Sequence, residues 1–268
     1  MANSFTITTK DGAQLLGTYQ GHGKPVLLIS GLGGTATFWT GVSAALAADG
    51  YQVFCVNQRG INGSTRGSAD LTIEQLAVDF LQVLEHFGVS SAHVVGHSTG
   101  GCIAQQIGLI APERVRSLVL GATWAGSSAY MSALFAFRKQ LLQENPQYYQ
   151  KQGVYLSYPA QWIWEHPDLL QTSPWPNQAK VHIVQERIDA LLAYEARSML
   201  QSLKKPTLIL SAQDDAVVPS QLQAELQQLI PQAKMHVFPV GGHFFPITLP
   251  HEYMSELTDW FSRVKYEN

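Results

Sequence analysis

The apolar run 91–96 ends in Gly96-His97-Ser98-Thr99-Gly100, and the residues that follow, 101–110, read as a helix stopped by Pro112. Few features confine a chain so tightly. A strand that turns directly into a helix with a serine at the corner forces that serine into a strained backbone, and glycines on both flanks are needed for the neighbouring chain to approach. The turn lifts the Ser98 hydroxyl into reach and sets the Thr99 amide at a helix N-terminus. Unpaired N–H groups and the helix dipole favour negative charge there. A G-x-S-x-G string alone also fits an idle serine in a glycine-rich turn. The strand before it and the helix after it point to a nucleophile.

The rest of the chain supports the same architecture. Pro25–Ser30 is a continuous apolar run ending in glycines, and 51–56, 91–96, 115–121 and 206–211 read likewise, as strands buried on both faces. Alternating runs at 4–9 and 14–20, joined by Lys10-Asp11-Gly12, predict an opening antiparallel hairpin. Helical stretches lie between the strands. The clearest is 73–87, where Thr72 and Gln75 form a capping box, Leu76, Phe80, Leu84 and Phe87 share a face, and Gly88 follows. Strand and helix alternate, so the predicted fold class is α/β with a mostly parallel, doubly wound sheet.

The alternation breaks after 115–121, because the next buried strand begins only at Pro206. A helical cap is therefore predicted at 125–200, inserted after the sixth strand, with 1–124 and 201–268 as one core domain. The cap holds Trp162, Trp164 and Trp175 and six of the ten tyrosines: Tyr130, Tyr148, Tyr149, Tyr155, Tyr158 and Tyr194. Such rings suit an apolar pocket, although rings that merely hold a small cap together explain each one equally simply. Trp124, Tyr158, Trp162 and Phe244 are the substrate-binding candidates.

A serine needs a base oriented by a carboxylate. His243 follows Gly241-Gly242 at the end of the strand-like 235–240, in a loop able to reach the turn. His22, His86, His166, His182 and His251 lie in polar or helical stretches, and His93 and His236 lie inside strand patterns. Asp214 and Asp215 both stand just past the strand 206–211, where ligand sites of such sheets gather. One of them serves the base and the other forms the turn or carries surface charge.

Composition excludes several other functions. Lys+Arg number 17 and Asp+Glu 20, a net charge of -3 with no basic surplus for nucleic acid or anionic lipid. Cys55 and Cys102 show no metal or redox spacing and read as buried free thiols; no metal and no cofactor is expected. No apolar stretch approaches membrane-spanning length and the opening residues lack a signal-peptide pattern, so a cytoplasmic protein with no membrane partner is expected. Gly31-x-Gly33-x-x-Ala36 matches a dinucleotide fingerprint in pattern, but the acidic residue that should end the next strand is Asn57.

Taken together, Gly96–Gly100, Asp215-Ala-Val-Val-Pro219 and Gly241-Gly242-His243 resemble the α/β-hydrolase superfamily, over nearly the whole chain. The resemblance implies an α/β-hydrolase fold and a Ser98–His243–Asp215 triad, Asp215 rather than Asp214 heading the D-x-x-x-P pattern. It also implies an oxyanion hole of the Leu32 and Thr99 amides, Ser30-Gly31-Leu32-Gly33-Gly34 occupying the place of the family's His-Gly-x-x-Gly loop. Ser30 replaces the usual histidine, which leaves open how that loop is braced. Asn57-Gln-Arg-Gly60 resembles the family's D-x-R-G loop, with Arg59 structural. Residues 27–34 and 155–162 look most like aminoacrylate hydrolases, enol-lactonases and carboxylesterases. The implied partner is a small-molecule acyl substrate: an ester or lactone, with a C–N substrate, a slow-turnover ligand receptor or peroxidase-type side activity as alternatives. Small carboxylate substrates would give Arg138 or Arg187 an anion to pair with, although surface charge is the plainer role for each. Oligomeric state and natural substrate are not legible.

Overall fold

The computed structural model describes residues 2–172 and 178–264. Strands β1 (Asn3–Thr8) and β2 (Gln14–Gln20) form the opening hairpin, turned through Gly12 at φ +86°, a conformation that glycine adopts without a Cβ clash. Then follow β3 (Lys24–Ile29), α1 (Thr40–Ala48), β4 (Tyr51–Val56), α2 (Ile73–His86), β5 (Ala92–His97), α3 (Thr99–Ile110) and β6 (Val115–Gly121). The segment between β6 and the next strand contains α4 (Ala129–Glu144), α5 (Pro146–Ser157), α6 (Ala160–Glu165) and α7 (Gln178–Ala193). The chain then closes with β7 (Thr207–Ala212), α8 (Ser220–Leu229), β8 (Lys234–Phe238), α9 (Phe245–Thr248) and α10 (Pro250–Arg263). Trp175, read as a cap aromatic, lies outside the described residues.

The eight strands form one sheet in the order β1-β2-β4-β3-β5-β6-β7-β8, antiparallel from β1 to β4 and parallel thereafter. This is the α/β-hydrolase arrangement. Strands β5, β6 and β7 carry no exposed residue, which is why they read as unbroken apolar runs: all six residues of β5 and of β7 are buried. One face of the sheet packs on α2 and α3 through Phe54, Leu76, Phe80, Leu84 and Ile103; the other packs on α1 and α10 through Val42, Leu46, Tyr253, Leu257 and Phe261. Each fully buried Leu or Phe contributes about 1.5–3 kcal/mol relative to exposure.

Two details depart from the sequence reading. The strand expected at 235–240 stops at Phe238, because Pro239 has no N–H to donate to a ladder and Val240 is exposed as the chain turns. The capping box is half made: Thr72 accepts from the Gln75 amide at 3.1 Å, but the Gln75 side chain turns to Asp79 Oδ1 at 3.0 Å. No helix among the described residues is long and apolar enough to cross a membrane.

The parallel strands β3, β5, β7 and β8 end on one edge of the sheet, so the loops after them converge. Everything singled out as chemical lies in those loops.

Candidate active site

Ser98 sits between β5 and α3 at φ 57°, ψ -126°, a region that non-glycine residues avoid and that costs on the order of 1–3 kcal/mol. The glycines around it are there for space. A Cβ on Gly96 would stand 2.1 Å from the Gly100 carbonyl oxygen, and one on Gly100 would stand 2.2 Å from that of Ile29. The turn is held by the Ser98 amide donating to Gly121 O at 2.8 Å and the Gly101 amide donating to Ser98 O at 2.8 Å.

The loop after β3 lies against this serine: a Cβ on Gly31 would be 2.9 Å from Ser98 Cβ and 3.4 Å from its Oγ. Leu32 is therefore a neighbour of the nucleophile candidate. Its amide donates to no group among the described residues. Thr99 is the first residue of α3, so its N–H has no preceding helical turn to bond. These are the two amides expected to meet an oxyanion, and both remain available.

His243 Nδ1 lies 2.8 Å from Asp215 Oδ2, both residues buried. The other Asp215 oxygen accepts the amides of Val217 at 2.8 Å and Val218 at 2.9 Å, which fixes the carboxylate. A carboxylate on Nδ1 leaves the Nε2 face of the imidazole to act as base. Asp214 does a different job: it accepts from the amides of Gly242 at 2.8 Å and Gly241 at 3.3 Å, and so ties the loop carrying His243 to the end of β7. Gly241 at φ +138° and Gly242 at φ +63° take conformations that suit glycine, and a Cβ on Gly242 would meet Ser157 O at 2.8 Å. Phe244 donates its amide to the same Ser157 oxygen at 3.0 Å, so the α5 terminus rests on this loop.

His97 is the residue the sequence analysis passed over. It occupies the variable position of G-x-S-x-G, is buried, and donates Nε2–H to the main-chain oxygen of His243 at 2.8 Å. Its Nδ1 has no partner among the described residues, and burial, reinforced by the charge of His243, holds its pKa well below that of an ordinary histidine. A neutral imidazole thus pins the backbone of the candidate base.

Of the substrate-binding candidates, Tyr158 and Phe244 come together edge-to-face at 5.2 Å, and Phe244 packs on Phe38 at 5.3 Å, beside His97. Trp162 is half-buried but stacks on His166 at 4.3 Å, within its own helical turn. Trp124 is fully buried in the core, with its carbonyl accepting from Gln105 Nε2 at 3.0 Å. Ser98 itself is 6% exposed, so access to it is narrow.

Several further expectations are settled by burial. Arg138 and Arg187 are not surface charges. Arg138 is buried over the Tyr149 ring at 4.2 Å, bonded to Gln152 at 2.9 Å; Arg187 is 1% exposed. The partners of Arg187, Leu32 and Gln58, lie 155 and 129 residues away and are invisible to local pattern, whereas those of Arg138 lie only 11 and 14 residues on. Arg59 is the structural cation expected, buried between Asp79 at 2.6 Å and Asp11 at 2.9 Å. Cys55 and Cys102 are buried free thiols, pushed up to about 12 by burial. The Gly31–Ala36 segment is no phosphate cradle, since the Ala36 amide already donates to Asn57 Oδ1 at 2.8 Å. No cluster of metal-ligating side chains occurs among the described residues.

A family model for the alpha/beta hydrolase fold matches residues 24–155 and 166–250. The chain belongs to the alpha/beta hydrolase family. Among curated relatives, a protein of Azorhizobium caulinodans named as a carbamate hydrolase, RutD, is 36% identical over 242 residues, covering 89% of this chain and 91% of that protein. One of the same name from Caulobacter vibrioides is 32% identical over 268 residues, covering 96% and 97%. The enol-lactonase of Burkholderia xenovorans superposes on this hydrolase with a TM-score of 0.85 at 18% identity, covering 97% of this chain and 100% of the other. At that identity the likeness concerns the fold alone.

Proposed function

We propose that this hydrolase cleaves a small carboxylic ester or lactone through an acyl-enzyme on Ser98. The observation that carries the reading is the Ser98 backbone, held at φ 57° on a strand-to-helix turn beside an unengaged Leu32 amide; strain kept at a polar residue is characteristic of a working site. In the first half-reaction Ser98 Oγ bonds to the acyl carbon as its proton passes to His243 Nε2, with Asp215 holding the imidazole. Charge on the former carbonyl oxygen is met by the Leu32 and Thr99 amides. The bond to the leaving group then breaks and His243 returns its proton to it. Water repeats the sequence on the acyl-enzyme and releases the acid.

A second reading is supported by the relatives named for carbamate hydrolysis, at up to 36% identity over nine-tenths of the chain: an aminoacrylate- or carbamate-type substrate, with a C–N bond broken. The same residues serve, and only the leaving group differs.

The test is multiple-turnover hydrolysis of a short-chain p-nitrophenyl ester by the wild type and Ser98→Ala, then of carbamates. Serine-dependent ester turnover with a loss of about three to six orders of magnitude in Ser98→Ala supports the first reading. Turnover of carbamates alone supports the second. A single turnover without release points to a ligand receptor, and an active Ser98→Ala removes the mechanism.

A further inference from the structure

Arg187 on α7 reaches the loops that follow β3 and β4. It is 1% exposed and meets no carboxylate among the described residues; its chain neighbour Glu186 is turned to Arg66 at 3.0 Å. Burial lowers its pKa only to about 10, so the guanidinium stays charged at neutral pH. A buried, unneutralised cation is costly and persists only where it does something.

What it touches is the loop beside Ser98. Arg187 Nε donates to Leu32 O at 2.8 Å, and Nη2 donates to Gly31 O at 3.3 Å and to Gln58 Oε1. Gln58 in turn donates Nε2–H to Ser30 O at 2.7 Å and its own amide to Gly34 O at 2.8 Å, while the Gly34 amide donates to Gly31 O at 2.9 Å. The carbonyls of Ser30, Gly31, Leu32 and Gly34 thus each accept a hydrogen bond. In a trans peptide the N–H points opposite the preceding C=O, so fixing Gly31 O toward Arg187 turns the Leu32 N–H away from it, to the side where Ser98 abuts Gly31. The Ser30 side chain does not brace this loop, since its Oγ is buried without a partner among the described residues.

We propose that Arg187 is a positioning residue for the reaction: with Gln58 it clamps the Ser30–Gly34 loop by its carbonyls, aims the Leu32 amide at the developing oxyanion, and polarises that peptide with its unneutralised charge. The clamp couples the segment between β6 and β7 to catalysis. This inference rests on the serine-hydrolase reading above, and the geometry deepens it by answering how a loop without the usual histidine is held. The alternative use of Nη1, which has no partner among the described residues, as an anchor for a substrate carboxylate makes the opposite kinetic prediction.

The experiment compares Arg187→Met, Arg187→Lys and Gln58→Leu with wild type on p-nitrophenyl acetate and on the acidic mono-p-nitrophenyl succinate, with folding followed by circular dichroism. Arg187→Met is expected to lower kcat about 10- to 100-fold on both esters with KM within about twofold, and to weaken a phenylboronic acid inhibitor by a similar factor. Gln58→Leu should move the same way with a smaller loss, and Arg187→Lys should recover part of kcat. An unchanged kcat with KM raised on the succinate alone overturns the proposal in favour of a carboxylate anchor. Wild-type kcat in Gln58→Leu and Arg187→Lys overturns it even if Arg187→Met does not fold. A fluorophosphonate probe separates the two failures: a wild type that neither reacts at Ser98 nor turns over defeats the serine-hydrolase reading and this proposal with it, whereas a labelled, active wild type with unaffected variants defeats this proposal alone.

Discussion

His97 and His243, 146 residues apart, are joined by a 2.8 Å hydrogen bond from the ring of the first to the main-chain oxygen of the second. The imidazole next to the nucleophile therefore acts on the backbone of the candidate base, while Asp215 acts on its ring. His97→Phe keeps a ring among Phe38 and Phe245 and removes the donor. It should lower kcat about 10- to 100-fold with little change in KM, since small misplacements of a base cost on that order. Steady-state kinetics on a p-nitrophenyl ester decides it; a variant with wild-type kcat removes the pinning role.

The two adjacent aspartates should separate cleanly. Asp215→Asn keeps an acceptor for the Val217 and Val218 amides but spoils the partner of His243 Nδ1, and kcat should fall about four orders of magnitude with the fold intact. Asp214→Ala leaves the Gly241 and Gly242 amides without their acceptor and should cost about 1 kcal/mol of stability with only a several-fold loss of kcat. Urea unfolding and kinetics on both variants check the contrast, and equal losses of kcat would contradict the assignment.

Strain at Ser98 predicts a trade of activity against stability. Glycine adopts φ 57°, ψ -126° without Cβ conflict, so Ser98→Gly should unfold at a higher denaturant concentration, by roughly 1 kcal/mol, and have no serine-dependent activity. A destabilised Ser98→Gly would show that the turn is not strained in the native protein.

These sites differ in how far they could be read from the chain. Ser98 was legible because its turn is specified locally, by glycines two residues either side and by a strand and a helix whose apolar patterns meet there. His243 and Asp215 were legible because each follows a strand end by a few residues. Asp214's part was not, because its partners Gly241 and Gly242 come from another loop. Gln58 and Arg187 were the least legible: each looks like an ordinary polar residue in its own segment, and only the packing of α7 over the loops after β3 and β4 makes a pair of two residues 129 apart in sequence. The short β8 was misread for a simpler reason, since the apolar run continues through Pro239 but the hydrogen-bond ladder cannot.

Two buried histidines on β5 give the fold an acid sensitivity that starts well above the carboxylate range. His93, stacked on Phe261 at 4.3 Å with Nδ1 2.8 Å from Ser117 Oγ, is held down to about 3 by burial and then by the charges of Arg116 and Lys24. His97 is likewise held well below 6.5, first by burial and then by the charge of His243. Between pH 6.5 and about 3 the unfolded chain binds the His93 proton and the folded one does not, and the shift at His97 acts in the same direction below 6.5, so stability is full above 6.5 and falls as pH drops. His93 adds a slope approaching about 1.4 kcal/mol per pH unit well inside its window. Asp11, held far below the usual carboxylate range chiefly by its hydrogen bond to Arg59, contributes stability that is lost only below about its ordinary 3.8. Glu186, lowered chiefly by its hydrogen bond to Arg66, adds a loss only as pH nears its ordinary 4.5, so the loss that begins near pH 6.5 belongs to histidine. The urea midpoint should fall steadily from pH 7.5 to 4.5 in the wild type and fall less far in His93→Gln; a wild-type midpoint that stays level to pH 4.5 would mean that the buried imidazoles take up protons in the folded state.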